Sequence, residues 1–251
     1  MKKKYDIIYS IGRDCACTMY MKSAKLRLTS GPFDWITNAS WEQRFDLMMN
    51  DFNGFLDETK LKFLRKNPNV FNDDACDYYE HIENGFYFYH DFPINVPMAD
   101  SLPEVREKYN RRIERFYHNI QKKNKVLLIF LSHYDHVSDN VIKESCDNFC
   151  KKMNKNIDFV IIEHKEGAIK TQSVKIAKNI EKYYLHTIVF DEQNLPTTLG
   201  NESEIRKIFL QYSLSLNHSF SKTIKHLLSK IICPFIPYKK WKKSVKSYLR
   251  S

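Results

Sequence analysis

The stretch KVLLIFLSH at residues 125–133 decides the fold that the sequence predicts. It is an almost unbroken apolar run, which is typical of a strand buried on both faces of a parallel sheet. A second such run, IDFVIIEH at 157–164, follows after a predicted helix over 139–152. Since strands that alternate with helices build βαβ units, we predict an α/β fold with a mainly parallel central sheet flanked by helices.

The neighbouring segments extend this alternation in both directions along the chain. We predict further strands at 5–12, 85–92 and 185–191, and further helices at 15–26, 40–51, 102–123, 167–184 and 203–216. Residues 52–80 are mixed and polar, and they show no clear period. Because 251 residues are enough for one large core, we assign residues 1–216 to a single α/β catalytic domain.

The net charge of +10 is concentrated in the C-terminal segment, residues 217–251. Nine of the 40 basic residues lie beyond Lys207, and the other 31 nearly balance the 30 acidic ones, none of which follows Glu204. Apolar and aromatic residues recur among these cations at helical spacing, which is typical of a basic amphipathic helix at an anionic membrane surface. We therefore predict that residues 218–251 form a helical tail of this kind. Packing on the body and nucleic-acid binding are the alternatives, and the body shows no recognisable nucleic-acid module, so no nucleic-acid partner is expected.

The six cysteines indicate free thiols in a reducing compartment. The start MKKKYDIIYSIG has a short apolar run without a leader cleavage site, and no stretch of 18 apolar residues occurs. We expect a cytoplasmic protein that is at most peripheral at the inner face of the membrane. Cys146 and Cys150 have i, i+4 spacing, but no second ligand pair has zinc-site spacing, so no metal site is predicted.

Chemically active side chains follow the predicted strands. In open parallel sheets, ligand sites form outside the carboxyl ends of the strands. The residues found there are Cys15, the pair His90 and Asp91, His133 with Asp135, the pair Glu163 and His164, and Asp191. These side chains supply a nucleophile, a base and an orienting group.

Cys15 is the preferred nucleophile because it falls at the predicted start of a helix. Unpaired N–H groups and the positive end of the helix dipole stabilise an anion there, and Arg13 adds positive charge. We therefore expect a thiol pKa below its usual value. Gly12 lets the backbone turn sharply out of the strand, and amides of the same turn can form an oxyanion hole. The alternative is that Cys15 is a small buried apolar residue, as most free cysteines are.

Several short motifs resemble the bacterial DUF1796 family of papain-like cysteine peptidases. They match in order and rough spacing over residues 5–135. The motifs are SIGRDC at 10–15, LR at 26–27, SGPFDWI at 30–36, HDF at 90–92 and KYNRRIERF at 108–116. The first turn also resembles, more distantly, coenzyme A-binding capsule-biosynthesis enzymes of the WcbI type.

The resemblance implies Cys15 as the nucleophile, His90 as the base, and Asp34 and Asp91 as acidic partners. Members often occur near surface-polysaccharide genes, which implies a sugar or lipid-linked glycan substrate. No cofactor is certain from the residues, and a coenzyme A thioester is the acyl donor that the resemblance allows. Asp34 has an alternative task, which is to pin the backbone of its own loop.

Further residues are predicted to bind the substrate or to replace the base. Arg111, Arg112 and Arg115 lie on one predicted helix, where they can together clamp a phosphate, although each alone fits a solvated face. Gly12, Arg13 and His133 complete the predicted substrate-binding set. His133 and His164 are also the reserve bases.

These predictions favour a cysteine-nucleophile acyl-transfer enzyme, either an acyltransferase or a hydrolase, in bacterial surface-polysaccharide biosynthesis. A papain-like cysteine peptidase is the alternative, and because both reactions begin with thiol attack on a carbonyl, the motif does not separate them. A second alternative is a non-catalytic protein that binds a sugar phosphate or a partner enzyme.

Overall fold

The computed structural model describes residues 2–67, 75–132, 136–165, 168–186 and 202–215. The helices are α1 (Cys15–Ser23), α2 (Trp41–Met49), α3 (Met98–Lys122), α4 (Asp139–Met153) and α5 (Glu202–Phe209). The strands are β1 (Lys3–Tyr5), β2 (Ile7–Ser10), β3 (Ile36–Thr37), β4 (Leu61–Asn67), β5 (Cys76–His81), β6 (Phe86–Pro93), β7 (Val126–Leu131), β8 (Asp158–Lys165), β9 (Gln172–Ala177), β10 (Ile180–His186) and β11 (Tyr212–Leu214).

The apolar runs form the middle of a five-stranded sheet in the order β2-β7-β8-β10-β9. The first four strands are parallel, and β9 is antiparallel to β10. All six residues of β7 are buried, as expected for a strand covered on both faces. Residues of α2, α3 and α4 join the core on one face, whereas residues of α1 and α5 join the core on the other.

The predicted α/β class is confirmed, but the parallel sheet is only one of three sheets. A four-stranded antiparallel sheet has the order β3-β6-β5-β4, and β1 pairs with β11 in a small parallel sheet. The aromatic strand predicted at 85–92 is β6 and belongs to the antiparallel sheet, so the prediction that His90 and Asp91 end a strand of the parallel sheet is wrong. Residues 52–80 supply a 3-10 helix over Glu58–Lys60, then β4 and β5.

The helix predicted over 167–184 is wrong, because this segment forms the antiparallel strands β9 and β10. β10 alternates between the two cores, with Ile180 in one and Tyr183 and Leu185 in the other. This two-residue period, rather than helical spacing, is the pattern of a half-buried strand. The helix predicted over 203–216 ends at Phe209, where β11 soon follows.

Residues 217–251 lie outside the described residues, so the amphipathic tail and the domain division at 216 stay predictions. Among the helices that the structure describes, none combines the length and the apolarity needed to cross a membrane. Within the same residues, no group of three or more His, Cys, Asp or Glu side chains is placed to hold a metal ion.

The fold brings three chain segments together at the carboxyl edge of the parallel sheet. Beyond β2 the backbone stays alongside β7, with the Arg13 N–H donating to the Leu131 carbonyl oxygen at 3.0 Å. Beyond β7 the Ser132 N–H donates to the Ile162 carbonyl oxygen at 3.0 Å. The turn before α1, the residues after β7 and the end of β8 therefore lie side by side, where ligand sites of open parallel sheets form.

Candidate active site

Cys15 is the first residue of α1 and follows the carboxyl end of β2, as the sequence predicts. Asp14 is the N-cap residue, and its carboxylate accepts a 2.8 Å hydrogen bond from the Ala16 N–H. The cap sets the start of the helix, because an Asp in extended conformation satisfies one of the unpaired N–H groups. The Cys15 side chain is half-buried at this point.

The pKa of the Cys15 thiol is raised, not lowered as the helix position predicts. Burial is the largest cause, the Asp14 carboxylate raises the pKa further, and the N–H of Cys15 itself acts in the opposite direction. The lowering predicted from the helix dipole and Arg13 is wrong, because burial and the charge on the capping residue both favour the thiol. Cys15 therefore rests as a thiol and needs a base to become a nucleophile.

Gly12 is needed for close packing. A Cβ atom there would lie 2.5 Å from Cys17 Cβ and 3.3 Å from the Leu131 nitrogen. The predicted reason, freedom to turn sharply, is not what the structure shows, since Gly12 is absent from the residues with positive φ. Any side chain at position 12 would push α1 away from β7 and move Cys15 with it.

Arg13 and the buried Arg44 connect the Cys15 turn to the antiparallel sheet. Arg13 Nη2 donates to Asn38 Oδ1 at 3.1 Å, one residue after β3. Arg44 Nη2 donates to the carbonyl oxygens of Arg13 at 2.8 Å and Ile36 at 3.0 Å. Arg44 was missed by the sequence argument, although a lone arginine on the apolar face of α2 was a usable signal.

Asp34 is 2% exposed and is surrounded by hydrogen-bond donors. Arg27 donates to Oδ2 from Nε at 2.8 Å and from Nη2 at 2.6 Å, and the Gly31 N–H donates to the same oxygen at 3.0 Å. Thr18 of α1 donates to Oδ1 at 3.1 Å. These contacts fit the loop-pinning alternative, and a catalytic role for Asp34 stays a prediction.

His90 and Asp91 lie on β6, where the register with β5 shifts between Asp77 and Tyr79. The His90 ring meets the Trp35 ring edge-on, with centroids 5.3 Å apart. Asp91 is buried and accepts from Lys108 Nζ at 2.6 Å and from the Tyr109 hydroxyl at 2.9 Å. Among the residues that the structure describes, neither side chain bonds to Cys15, and their predicted catalytic roles stay untested.

The three arginines of α3 do not act as one cluster. Arg111 is exposed and pairs with Glu107 one turn earlier. Arg115 is half-buried and donates from Nη2 to the Ser30 carbonyl oxygen at 3.1 Å. Arg112 is half-buried and lies over the Tyr109 ring, with Cζ 5.1 Å from the centroid. Arg115 thus contacts the loop that carries Ser30, Arg112 packs on Tyr109, and Arg111 is engaged by Glu107.

His133, one of the two reserve bases, lies outside the described residues. His164, the other reserve base, lies within them. His164 is 2% exposed near the carboxyl end of β8. Val160 and Ile162 pack in the core that contains α1 residues, and side chains alternate along a strand, so His164 points to the α1 side of the sheet. His164 is thus the described histidine that shares both the edge and the face of the sheet with Cys15.

Glu163 points to the opposite face and forms a buried ion pair with Lys182 of β10 at 3.0 Å. The pair holds both backbone groups of Val137: the Val137 N–H donates to Glu163 Oε1 at 3.3 Å, and Lys182 Nζ donates to the Val137 oxygen at 2.6 Å. It therefore fixes Val137, just before α4. Lys182 was missed because the segment around it was predicted as a helix.

A family model described as "Putative papain-like cysteine peptidase (DUF1796)" matches residues 6–167, which is more than half of the chain. Uncharacterized protein R408 of Acanthamoeba polyphaga mimivirus is 24% identical over 173 residues, covering 63% of this chain and 77% of the relative. No solved structure matches the chain.

Proposed function

The chain belongs to the DUF1796 family of papain-like cysteine peptidases, and on that premise we propose that it is an acyl-transfer enzyme with Cys15 as its nucleophile. The observation that carries the proposal is the position of Cys15. It begins a helix at the carboxyl edge of a parallel sheet, beside the ends of β7 and β8. Such edges hold the ligand sites of open parallel sheets.

The reaction that this arrangement supports begins with the resting thiol. A histidine accepts the thiol proton, and the sulfur attacks the carbonyl carbon of the substrate to give a tetrahedral oxyanion. Collapse of this intermediate releases the leaving group, which takes the proton from the imidazolium, and leaves an acyl thioester on Cys15. Water or a hydroxyl group then attacks the thioester, its proton passes to the histidine, and the thiol is restored.

His164 is supported as the base by its place on the α1 side of the sheet edge. The raised pKa of Cys15 fits proton transfer during the reaction better than a preformed thiolate, because burial disfavours the anion. His90 remains the alternative base, and its ring meets that of Trp35, the residue after Asp34.

The acceptor decides between hydrolysis and acyl transfer. We propose a hydroxyl of a surface polysaccharide or of its lipid-linked precursor as the acceptor, with a coenzyme A thioester as the donor. A papain-like peptidase uses the same acyl-enzyme intermediate and water as the acceptor. Turnover of a thioester against turnover of a peptide distinguishes the two substrates.

A non-catalytic protein that binds a sugar phosphate is the second candidate. Two observations favour it: the thiol pKa is raised, and the carboxylates of Asp34 and Asp91 are engaged by Arg27 and Lys108. In that case Cys15 would react with alkylating agents but would never carry an acyl group.

The test measures turnover of an acyl thioester, which requires an acyl-enzyme, by the wild-type chain and by two cysteine variants. Cys150 provides a matched control, since it is also half-buried and burial also raises its pKa. We expect thioester turnover to be lost in Cys15→Ser and retained in Cys150→Ser. Equal turnover by Cys15→Ser would refute the proposed function.

A further inference from the structure

Arg112 and Arg115 of α3 form a pair of guanidinium groups on one side of the helix, three residues apart. Arg115 donates to the carbonyl oxygen of Ser30, a neutral acceptor, and Arg112 lies over the ring of Tyr109. Among the residues that the structure describes, no carboxylate forms an ion pair with either arginine. Two like charges thus lie near each other without an ion-pair partner, and the charge of Asp34 offsets them only in part.

The surrounding charges do not compensate this pair. Asp34 is neutralised by Arg27 at 2.6 Å, and Asp91 is neutralised by Lys108 at 2.6 Å. Two carboxylates and two cations therefore cancel, and Arg112 and Arg115 leave a local excess of two positive charges. A phosphate monoester carries about −1.5 to −2 charges at pH 7, which matches this excess, whereas a carboxylate carries only one.

Buried guanidinium nitrogens without hydrogen-bond partners also favour an anion site at these arginines. Arg112 Nη1 and Arg115 Nε are buried and have no hydrogen-bond partner in the structure. Burial lowers the pKa of Arg115, and the neighbouring charge of Arg112 lowers it further. Both side chains remain partly exposed, so an anion can approach them from solvent.

From this geometry we propose that Arg112 and Arg115, beside the Ser30 loop, form a binding site for the phosphate group of a substrate. Planar guanidinium groups present several donors to phosphate oxygens, so a pair of them provides both charge and direction. The site goes beyond the proposed function in naming the substrate chemistry. Its role in substrate recognition rests on that function, whereas phosphate binding itself does not.

The position of the site fits a substrate that also reaches Cys15. Helix α3 runs antiparallel to β2, since the Asn124 N–H just after the helix donates to Asp6 Oδ2 before β2 at 3.1 Å, and Asn119 Nδ2 donates to the Tyr9 hydroxyl near the end of β2 at 2.8 Å. Arg115 is one helical turn before Asn119, and Arg112 comes three residues earlier, so both arginines lie toward the carboxyl edge of the sheet. Asp34 links the two regions, since it bonds to Thr18 of α1 and to Arg27, which also bonds to Ser30.

The test is calorimetric titration of the full chain with inorganic phosphate and with pyrophosphate at low salt. Arg112→Met and Arg115→Met are each expected to weaken binding about tenfold or more, as removal of a charge-assisted donor pair does. Arg111→Met is the matched control, because Arg111 lies on the same helix but is exposed and paired with Glu107. Arg111→Met is expected to bind phosphate like the wild-type chain.

A stability measurement separates binding from a structural role. In Arg112→Met the lost contact with the Tyr109 ring and the relief of like-charge repulsion act in opposite directions, so the Tm of each variant without phosphate serves as its own reference. Added phosphate should raise the Tm of the wild-type chain and of Arg111→Met only. Phosphate binding by the Arg112→Met/Arg115→Met double variant equal to that of the wild-type chain, or an equal rise in its Tm on addition of phosphate, would overturn the proposal.

Two further titrations identify the source of the phosphate. Tighter binding of coenzyme A than of glucose 1-phosphate supports a phosphate of the acyl donor, and the reverse order supports a sugar phosphate. Acetate that binds more tightly than inorganic phosphate would reject a phosphate site. Cys15→Ser should leave all these affinities unchanged, so failure of the proposed function and failure of this site give different results.

Discussion

Cys15 is subject to two opposing influences at the start of α1. Its own N–H favours the thiolate, whereas burial and the Asp14 carboxylate favour the thiol, and the thiol is favoured overall. The same carboxylate caps the helix, so one residue both stabilises α1 and restrains the reactivity of the sulfur. The reactivity of Cys15 therefore depends on its neighbour as much as on the helix dipole.

Asp14→Asn is expected to make Cys15 more reactive. Asparagine caps helices about as well as aspartate, so the helix start is kept while the negative charge is removed. The Cys15 pKa falls, and iodoacetamide labelling at pH 7.5 becomes faster by about threefold to tenfold. Labelling of Cys150, measured by peptide mass spectrometry in the same sample, should not change. An unchanged rate at Cys15 would show that burial alone sets its pKa.

Asp34→Asn is expected to destabilise the chain. The variant keeps the shape of the side chain but leaves Arg27 without its buried counter-charge, which costs about 2–4 kcal/mol in the free energy of unfolding. Urea unfolding followed by fluorescence measures the change. Asp46→Asn, an exposed position on α2, should change stability by less than about 0.5 kcal/mol. Similar effects at both positions would contradict the loop-pinning role.

The positions of candidate site residues were easier to predict than their roles. The sequence placed Cys15 correctly because an apolar run that stops at a helix start is a local pattern. The tasks of Asp34 and Arg44 depend on partners far along the chain, such as Thr18 for the first and Arg13 for the second. The charge and spacing of residues within a motif do not predict these long-range contacts.

At the scale of elements, the residues just before α4 are positioned by a buried ion pair from β8 and β10, which holds Val137. Burial raises the pKa of Glu163, and Lys182 acts against this shift. Burial also disfavours the charge on Lys182, but the Glu163 carboxylate more than offsets it and raises the lysine pKa. A buried pair of this kind costs desolvation energy, so its value lies in fixing Val137.

Lys182→Met is expected to make stability strongly dependent on pH. A carboxyl whose pKa is raised in the folded state binds its proton more tightly there, so stability is lost as pH rises from the ordinary carboxyl range through the folded pKa. Removal of Lys182 raises that pKa further and extends the loss toward neutral pH. Urea unfolding at pH 5 and pH 8 should therefore differ more for Lys182→Met than for the wild-type chain.

Glu163→Gln in the Lys182→Met background is the control for this effect. It removes the titrating carboxyl, so the added pH dependence should disappear and stability at pH 8 should rise above that of Lys182→Met. If Lys182→Met shows the pH dependence of the wild-type chain, the ion pair does not control this segment.

Helices and strands were predicted correctly where a single hydrophobic pattern extended over the whole segment. α3 and α4 have long apolar stripes, and β7 and β8 are buried runs, so their positions were predicted within a few residues. The hairpin of β9 and β10 contains lysine, glutamate and tyrosine between its apolar residues, so its two-residue period was mistaken for a helical one. Tertiary packing against β8 stabilises β10 as a strand. Local sequence propensity does not reflect this packing.

At the scale of the whole molecule, the charge separation between body and C-terminal segment has a direct consequence for membrane binding. We predict that Gln substitutions in the segment will reduce co-sedimentation with phosphatidylserine vesicles, because each lysine near an anionic surface contributes about 1 kcal/mol. The substituted residues are Lys239, Lys240, Lys242 and Lys243. Binding by the wild-type chain should also weaken as salt rises from 0.1 to 0.5 M.

Four exposed lysines of the body provide the matched control for total charge. They are Lys2, Lys62, Lys122 and Lys143. Gln substitution at these four positions should leave vesicle binding unchanged. Equal losses in the two quadruple variants would show that net charge, and not the segment, determines binding.

The α/β class could be predicted because two buried strands and their helices repeat a familiar unit. The antiparallel sheet could not, because β3 has two residues and β4 and β5 lie in a polar stretch without a clear period. That sheet holds the turn before Cys15 in place through Arg44 and Asn38. The candidate active-site region therefore lies where two sheets meet, and only the parallel one was predicted from the sequence.

Intact-mass spectrometry after incubation with an acyl-coenzyme A tests the central claim most directly. The account predicts one acyl adduct per chain, located on Cys15 by peptide mapping, present in Cys150→Ser and absent in Cys15→Ser. An adduct that persists in Cys15→Ser, or thioester turnover without any adduct on Cys15, would contradict it.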